Sequence, residues 1–341
     1  MRVGPAMTRQ IKVAVVGAGS WGTTVASIIA GQVPTVLWAR RPEVADEINH
    51  QRTNLAYLPD HRLSDKLVAT TSLEEAVGEA DVIAMAVPSH GFREVLTEAA
   101  PCVRPWVPIV SLTKGLEGGT HHRMTQVIGE VLPGHPAGVL AGPNLAREVL
   151  DGYAAAALLA MPDQRVASAL QDIFRTRFFR VYTGIDVIGA EISGPLKNVF
   201  AIAAGMAVGL GTGDNTLALV IARSLAELTR LGMAMGGEMH TFAGLAGAGD
   251  LIATCVSPLS RNRRVGVELA KDRTVAEITA EMQMVAEGIK TSAVVMELAA
   301  TYDVEMPIAG EVFHVVHQGR SPMEAFRGLL RTRPTHEMAA G

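Results

Sequence analysis

Cysteine is nearly absent. Cys102 and Cys255 are the only two in 341 residues, which excludes a disulfide-stapled scaffold and fits a reducing compartment. Aromatic residues make up 4% of the chain, so a core must be built from Ala, Val, Leu, Ile and Met. No basic tract is present and the formal net charge is −4, which argues against a nucleic-acid footprint. The uncharged stretch at residues 198–213 holds four glycines and falls short of the ~20 apolar residues of a spanning helix. No Cys/His spacing matches a zinc site, and no G-x-S-x-G elbow occurs. His314 and His317 share a helix face without further ligands, so no metal is expected. The first ten residues carry no apolar run, so a secretory signal is not expected. Residues 1–9 read as a disordered leader, with Met7 an alternative start.

Hydrophobic residues are abundant at 48% against 19% charged, which makes a large core feasible and global disorder unsound. The length suggests about two domains. IKVAVVG (11–17), TVLWA (35–39), DVIAMAVP (81–88), VPIVSLT (107–113), AGVLAGP (137–143), AAAALLA (154–160) and FRVYTG (179–184) are apolar runs of strand length. Several alternate with helical patterns, which implies a parallel sheet covered on both faces. Beyond Ile188 strand-like runs give way to helical segments at 191–209, 215–233, 261–271, 274–282, 288–302 and 307–317, interrupted by a glycine-rich stretch at 244–251. The expected organisation is a doubly wound Rossmann-type α/β domain at 10–188 and an all-helical domain at 189–341, with a ligand cleft between them.

Gly17-Ala18-Gly19-Ser20-Trp21-Gly22 is a G-x-G-x-x-G placed between a strand and a helix. Gly17 permits the tight turn, Gly19 lets a pyrophosphate approach the backbone, and Gly22 lets the helix pack on the strand. The helix N-terminus adds N–H donors and partial positive charge. At the end of the second strand, where an NAD site usually places Asp or Glu, this chain has Arg40-Arg41. Two guanidiniums suit a 2′-phosphate, so NADPH is the expected cofactor, with NADH the alternative; two solvated loop arginines are the plainer reading.

Polar residues cluster at strand ends and helix starts. Lys114 follows a buried strand at the carboxyl edge of the sheet, either as a ligand group or as a surface lysine. Gly142-Pro143-Asn144 follows another strand, as a turn or as backbone approaching a ligand. Lys197 is the only charge between Glu191 and Asp214. Desolvated, it has a lowered pKa and serves as a general acid or base; otherwise it snorkels to the surface. Ser260-Arg261-Asn262 opens a helix as an anion cradle or as a simple cap. Cys255 reads as a small core hydrophobe.

Taken together, GAGSWGT, TKGLE, AGPNLAREV, GPLKNVFAIAAG, GDNTLALVIARSLAELTRLGMAMGG, TFAGLAGAGDLIATCVSPLSRNRRVG and VAEGIKT resemble the soluble, bacterial-type NAD(P)-dependent glycerol-3-phosphate dehydrogenases, from about Ile11 to Arg331. The resemblance implies a helical domain of the 6-phosphogluconate dehydrogenase C-terminal type. It implies that Ser20, Trp21, Arg40, Arg41 and Tyr57 contact the cofactor, as do Ala146, Arg261, Val285 and Glu287, and that Lys114 touches cofactor and substrate. Gly142, Asn144, Asp250, Ser260, Arg261 and Asn262 would hold substrate, with Asn198 and Thr254 assisting and Lys197 as proton acceptor. Lys114 and Asp250 would join Lys197 in catalysis, Lys114 by stabilising the oxyanion and lowering the Lys197 pKa, Asp250 by orienting the ammonium. The substrate pair implied is dihydroxyacetone phosphate and sn-glycerol 3-phosphate, in a cytoplasmic enzyme feeding phospholipid synthesis; a homodimer would suit the apolar helical domain. Three positions depart from the family pattern: Asn144 replaces a small hydroxyl residue, Pro195 stands where proline is unusual, and Ala248 replaces a Leu or Val. Two rival readings remain at this point: a reductase of β-hydroxy acids or a ketopantoate-like substrate, and a non-catalytic dinucleotide sensor.

Overall fold

The computed structural model describes residues 10–282 and 286–331. Both the expected leader at 1–9 and Val285 lie outside the described residues. The first lobe is an eight-stranded sheet, with β1 (Val13–Val16), β2 (Thr35–Trp38), β3 (Val68–Thr70), β4 (Val82–Met85), β5 (Ile109–Ser111), β6 (Ala137–Ala141), β7 (Ala155–Ala160) and β8 (Phe179–Gly184) in the order 3-2-1-4-5-6-7-8. Its helices are α1 (Ser20–Ala30), α2 (Pro42–Gln51), α3 (Leu73–Val77), α4 (Ser89–Ala99), α5 (Met124–Val131), α6 (Ala146–Leu150) and α7 (Gln164–Phe174). The sequence around β3 carried no strand signal: it is three residues long and its Val68 is exposed.

β1 and β4 are buried on both faces, which is why they read as unbroken apolar runs rather than alternating ones. Val13 and Val15 join a core beneath α1 with Val25, Ile29 and Leu37. Ala14 and Val16 join the opposite core with Ile83, Met85 and Phe92. The strand order reverses between β1 and β4, so the carboxyl ends of β1, β4 and β5 open a crevice there, the usual ligand position of open α/β sheets.

The sheet is not wholly parallel. β7 runs antiparallel to β6, with Val139 opposite Ala160, and β8 then runs parallel to β7. The link from β6 to β7 holds only the short helix α6. The chain therefore leaves β8 near the amino-terminal edge of β6, and the next helix climbs back along the sheet.

That helix is α8 (Val187–Gly209), the axis of the second lobe. Around it pack α9 (Asp214–Ala234), α10 (Met239–Ala243), α11 (Asp250–Val256), α12 (Arg261–Leu269), α14 (Glu287–Thr301) and α15 (Pro307–Gln318), while α13 (Val275–Glu281) packs on α12 and α16 (Pro322–Arg331) on α15. Leu196, Val199, Phe200, Leu231, Phe242 and Val295 form its core. Bare glycines bring α8 and α12 together: a Cβ at Gly205 would lie 2.0 Å from the Arg263 carbonyl, and one at Gly266 would lie 2.0 Å from the Ile202 carbonyl. The glycine-rich stretch does not break the helical pattern. Leu245–Gly249 forms a π turn that runs into α11. Pro195 sits inside α8 without ending it, so the departure at that position does not move the start of the helix. Among the described residues α8 is the one helix long and apolar enough to cross a bilayer, but 89% of its apolar window is buried inside the molecule.

Candidate active site

The glycine turn follows from packing. Gly17 has φ +117°, and a Cβ there would stand 2.7 Å from the Ala86 carbonyl oxygen at the end of β4. A Cβ on Gly22 would lie 2.0 Å from the Gly17 carbonyl, so α1 reaches the sheet only because that position is bare. Gly19 differs: nothing lies within 4 Å of a Cβ built there. It is the N-cap of α1, its first turn carries no acidic residue, and no side chain caps it. This leaves free N–H groups, partial positive charge and open space, which fits a pyrophosphate.

The turn is braced from the segment after α2. Asn54, fully buried, donates to the Ala18 carbonyl at 3.0 Å and to Thr23 Oγ1 at 2.9 Å. Ser20 Oγ donates to the Tyr57 carbonyl at 3.2 Å. The Arg41 guanidinium lies 5.8 Å from the centre of the Tyr57 ring, and Arg40 and Arg41 are both exposed past the end of β2. Trp21 packs edge-on to Phe179, and its indole N–H is buried without a partner. Ala146 opens α6 beside α1, its carbonyl 3.4 Å from Thr24 Oγ1. Nothing in the spacing of the sequence marked Asn54; only its burial identifies it as the brace.

Across the crevice, three charged side chains meet. Lys197, 5% exposed on α8, donates to Asp250 Oδ1 and, at 2.6 Å, to Thr254 Oγ1. Asp250, 2% exposed at the start of α11, accepts on its other oxygen from Lys114 Nζ at 2.7 Å. Lys114 Nζ also donates to the Gly142 carbonyl at 2.9 Å. One carboxylate thus bridges two ammoniums, joining the carboxyl ends of β5 and β6 to the helical lobe. Lys197 does not snorkel. Burial pulls it from an ordinary 10.5 down to about 8; the Asp250 carboxylate opposes that fall and the Lys114 ammonium adds to it.

A second group closes the helical side. Gly288 N donates to Asn262 Oδ1 at 3.0 Å, and a Cβ on Gly288 would lie 2.5 Å from the Asn198 carbonyl. That close approach brings Glu287 in among Arg261, Lys114, Lys197 and Lys290; burial raises its carboxyl and these four cations oppose the rise. Ser260 Oγ caps α12 by accepting from Arg263 N at 3.2 Å, and Arg261 is exposed at the first position of that helix. Both polar side-chain atoms of Asn144 are buried without a partner. Cys255 is fully buried and its thiol is pushed up to about 12 by burial, which leaves it inert. His314 and His317 are hydrogen-bonded to Gln318 and to Ser292.

Fold and site together define a Rossmann-type dinucleotide-binding lobe joined to a helical lobe that supplies a buried lysine. Residues 12–167 match the N-terminal family model of NAD-dependent glycerol-3-phosphate dehydrogenase, and residues 186–327 match its C-terminal model. The chain is 59% identical over 98% of its length to a glycerol-3-phosphate dehydrogenase (NAD(P)+) of Mycobacterium avium, covering 98% of that protein. It is 58% identical over 97% of its length to glycerol-3-phosphate dehydrogenase (NAD(P)+) 1 of Mycobacterium tuberculosis, covering 97% of that protein. A crystal structure of glycerol-3-phosphate dehydrogenase from Coxiella burnetii superposes with a TM-score of 0.90 at 34% identity, covering 94% of this chain and 99% of that one. This chain belongs to the NAD-dependent glycerol-3-phosphate dehydrogenase family.

Proposed function

We propose that the protein is an NAD(P)-dependent sn-glycerol-3-phosphate dehydrogenase that interconverts dihydroxyacetone phosphate and sn-glycerol 3-phosphate. The observation that carries this reading is the Lys197–Asp250–Lys114 bridge at the carboxyl edge of the sheet. It stands two strands, or about 10 Å, from the glycine turn.

When bound, the dinucleotide supplies hydride chemistry at C2 of the substrate. Lys197, as ammonium, gives a proton to the C2 oxygen during reduction; as the neutral amine it takes that proton back during oxidation. Asp250 and Thr254 aim the amine. Lys114 stabilises negative charge developing on the C2 oxygen. Ser260, Arg261 and Asn262, with Asn198, hold the phosphate, and Gly142 and Asn144 line the carbon chain. Binding energy from the remote phosphate then fixes C2 in place. Gly17, Gly19, Ser20, Trp21 and Gly22 hold the pyrophosphate, with Tyr57, Ala146 and Glu287 completing the dinucleotide site. Arg40 and Arg41 favour the 2′-phosphate of NADPH over NADH.

The phosphate cradle favours this substrate over a keto acid, and the buried acid–base pair favours an enzyme over a sensor. We place the domain boundary near residue 188, a reading supported by the start of α8. Exposed Leu219, Met233, Ile252 and Val256 on the helical lobe support a homodimer. A cytoplasmic role supplying the phospholipid backbone follows from the activity. The test is loss of NADPH absorbance when dihydroxyacetone phosphate is added to the purified protein. Turnover of a ketopantoate-like acid instead, or of no carbonyl compound, would reject the assignment.

A further inference from the structure

Glu117, in the TKGLE stretch, lies outside the site described above, yet it is among the most firmly held side chains in the molecule. Its carboxylate accepts two parallel bonds from Arg93 on α4, at 2.7 and 2.9 Å, and a third from Thr120 Oγ1 at 2.6 Å. The Arg93 guanidinium holds this carboxyl well below the usual carboxylate range, at about 2. Arg93 also donates to Glu130 on α5 at 2.6 Å.

Glu117 sits in a small hairpin between β5 and α5. Leu116 and Arg123 pair across it, and Glu117 N donates to the His122 carbonyl at 2.9 Å. Every exit from the hairpin is pinned. Gly115 lies so close to α4 that a Cβ there would stand 2.6 Å from Ser89 Oγ. Leu116 is buried in the core of the helical lobe. His121 pairs with Glu297 on α14 at 2.9 Å, and Arg123 with the buried Glu191 on α8 at 2.9 Å. Lys114 is the residue immediately before this hairpin. Its amine must reach both the Gly142 carbonyl and Asp250, so the direction in which the hairpin leaves β5 decides whether it arrives.

We propose that Glu117, clamped by Arg93, is a positioning residue that holds the hairpin against the sheet lobe and thereby keeps the Lys114 amine between Gly142 and Asp250. The inference rests on the dehydrogenase reading. The clamp touches neither ligand; it acts through Lys114. A long bidentate arginine pair supplies direction as well as attraction, which a lone lysine would not. A displacement of about 1 Å at a catalytic group is enough to cost up to about 100-fold.

The test compares wild type, Arg93→Ala, Glu117→Gln and Arg93→Lys. Each is assayed for dihydroxyacetone phosphate reduction across pH, NADPH binding and thermal unfolding. Arg93 is over a third exposed, so its truncation leaves no buried hole. The groups facing Lys197 are Asp250, Lys114, Glu287 and Cys255. Withdrawing Lys114 removes a like charge and leaves Asp250 wholly to Lys197, and both changes raise the Lys197 pKa. Arg93→Ala and Glu117→Gln should therefore lower kcat about tenfold or more and move the alkaline limb of the reduction upward by about one unit. NADPH affinity should stay within about twofold, and Arg93→Lys should recover part of kcat. Unchanged kcat and limb in both variants, or a fall in kcat with the limb unmoved, would overturn the proposal while leaving the dehydrogenase reading intact. A wild type inactive on dihydroxyacetone phosphate would instead overturn the dehydrogenase reading, and this inference with it.

Discussion

Lys197 owes its chemistry to where α8 leaves it. A lysine in water holds its proton too tightly to exchange it near neutrality, whereas this one is lowered to about 8 by desolvation while Asp250 keeps it oriented. The direction of the pH dependence follows. Reduction needs the ammonium, so its rate should fall as pH rises through about 8; oxidation needs the amine and should rise over the same interval. Initial rates in both directions across pH would show the two limbs crossing, and parallel profiles would contradict the role. Lys197→Ala removes the proton carrier and should cut turnover by about 10²–10⁴, with NADPH binding, read by fluorescence titration, nearly unchanged. The importance of Lys197 was legible because it is a single charge in an apolar helix. The family resemblance implied that Asp250 orients Lys197; that its other oxygen would hold Lys114 was not legible, since residues 114 and 250 are joined only by the tertiary fold. Asn144 was legible as a departure from the family pattern, and its buried amide has no hydrogen-bond partner.

Among the elements, the glycine turn offers a clean separation of binding from folding. Gly19 has space for a Cβ and an ordinary extended backbone, so Gly19→Ala should leave the unfolding midpoint unchanged while obstructing the pyrophosphate and weakening dinucleotide binding at least tenfold. Gly22→Ala has no such room and should cost about 2–3 kcal/mol of stability, measured by denaturant unfolding. The motif alone assigns both glycines; only the packing separates their duties. The helical lobe has its own anchor in Glu227 on α9, 3% exposed, which accepts from Ile308 N at 2.8 Å and Ala309 N at 3.2 Å at the start of α15. Glu227→Ala would strand those donors and cost at least about 2 kcal/mol. Burial raises the Glu227 carboxyl from 4.5 to about 7. Its folded pKa is above its unfolded one, so its favourable contribution is full below 4.5 and is lost as pH rises through 7. Glu227→Gln should therefore flatten the stability–pH curve across that window. Most strands and long helices were legible from apolar periodicity. The reversal of β7 was not, because strand direction leaves no mark on composition, and the glycines of 244–249 masked a π turn.

At the scale of the whole molecule, the two lobes interlock. α8 packs on β6 at its start and carries Lys197 to the far edge of the sheet, so neither lobe holds a complete site. The exposed apolar side chains of α9 and α11 lie on neighbouring helices and predict a dimer. Light scattering should give twice the chain mass, and Ile252→Glu with Val256→Glu should halve it. The two-lobed plan was legible in the change of texture near residue 188, but the manner of their joining was not. It depends on side-chain pairs such as Arg123 with Glu191, far apart in the chain.

The greasy axis of the second lobe also bears on how the chain is made. α8 emerges from the ribosome before α9, α11, α12, α14 and α15, the helices that will sheathe it. During that interval it offers membranes and other nascent chains a rod of bilayer-spanning length. Chains halted before α14 should accordingly sediment with vesicles or aggregates, while the finished chain stays in the supernatant. The same segment that carries Lys197 is, until it is wrapped, a hazard during synthesis.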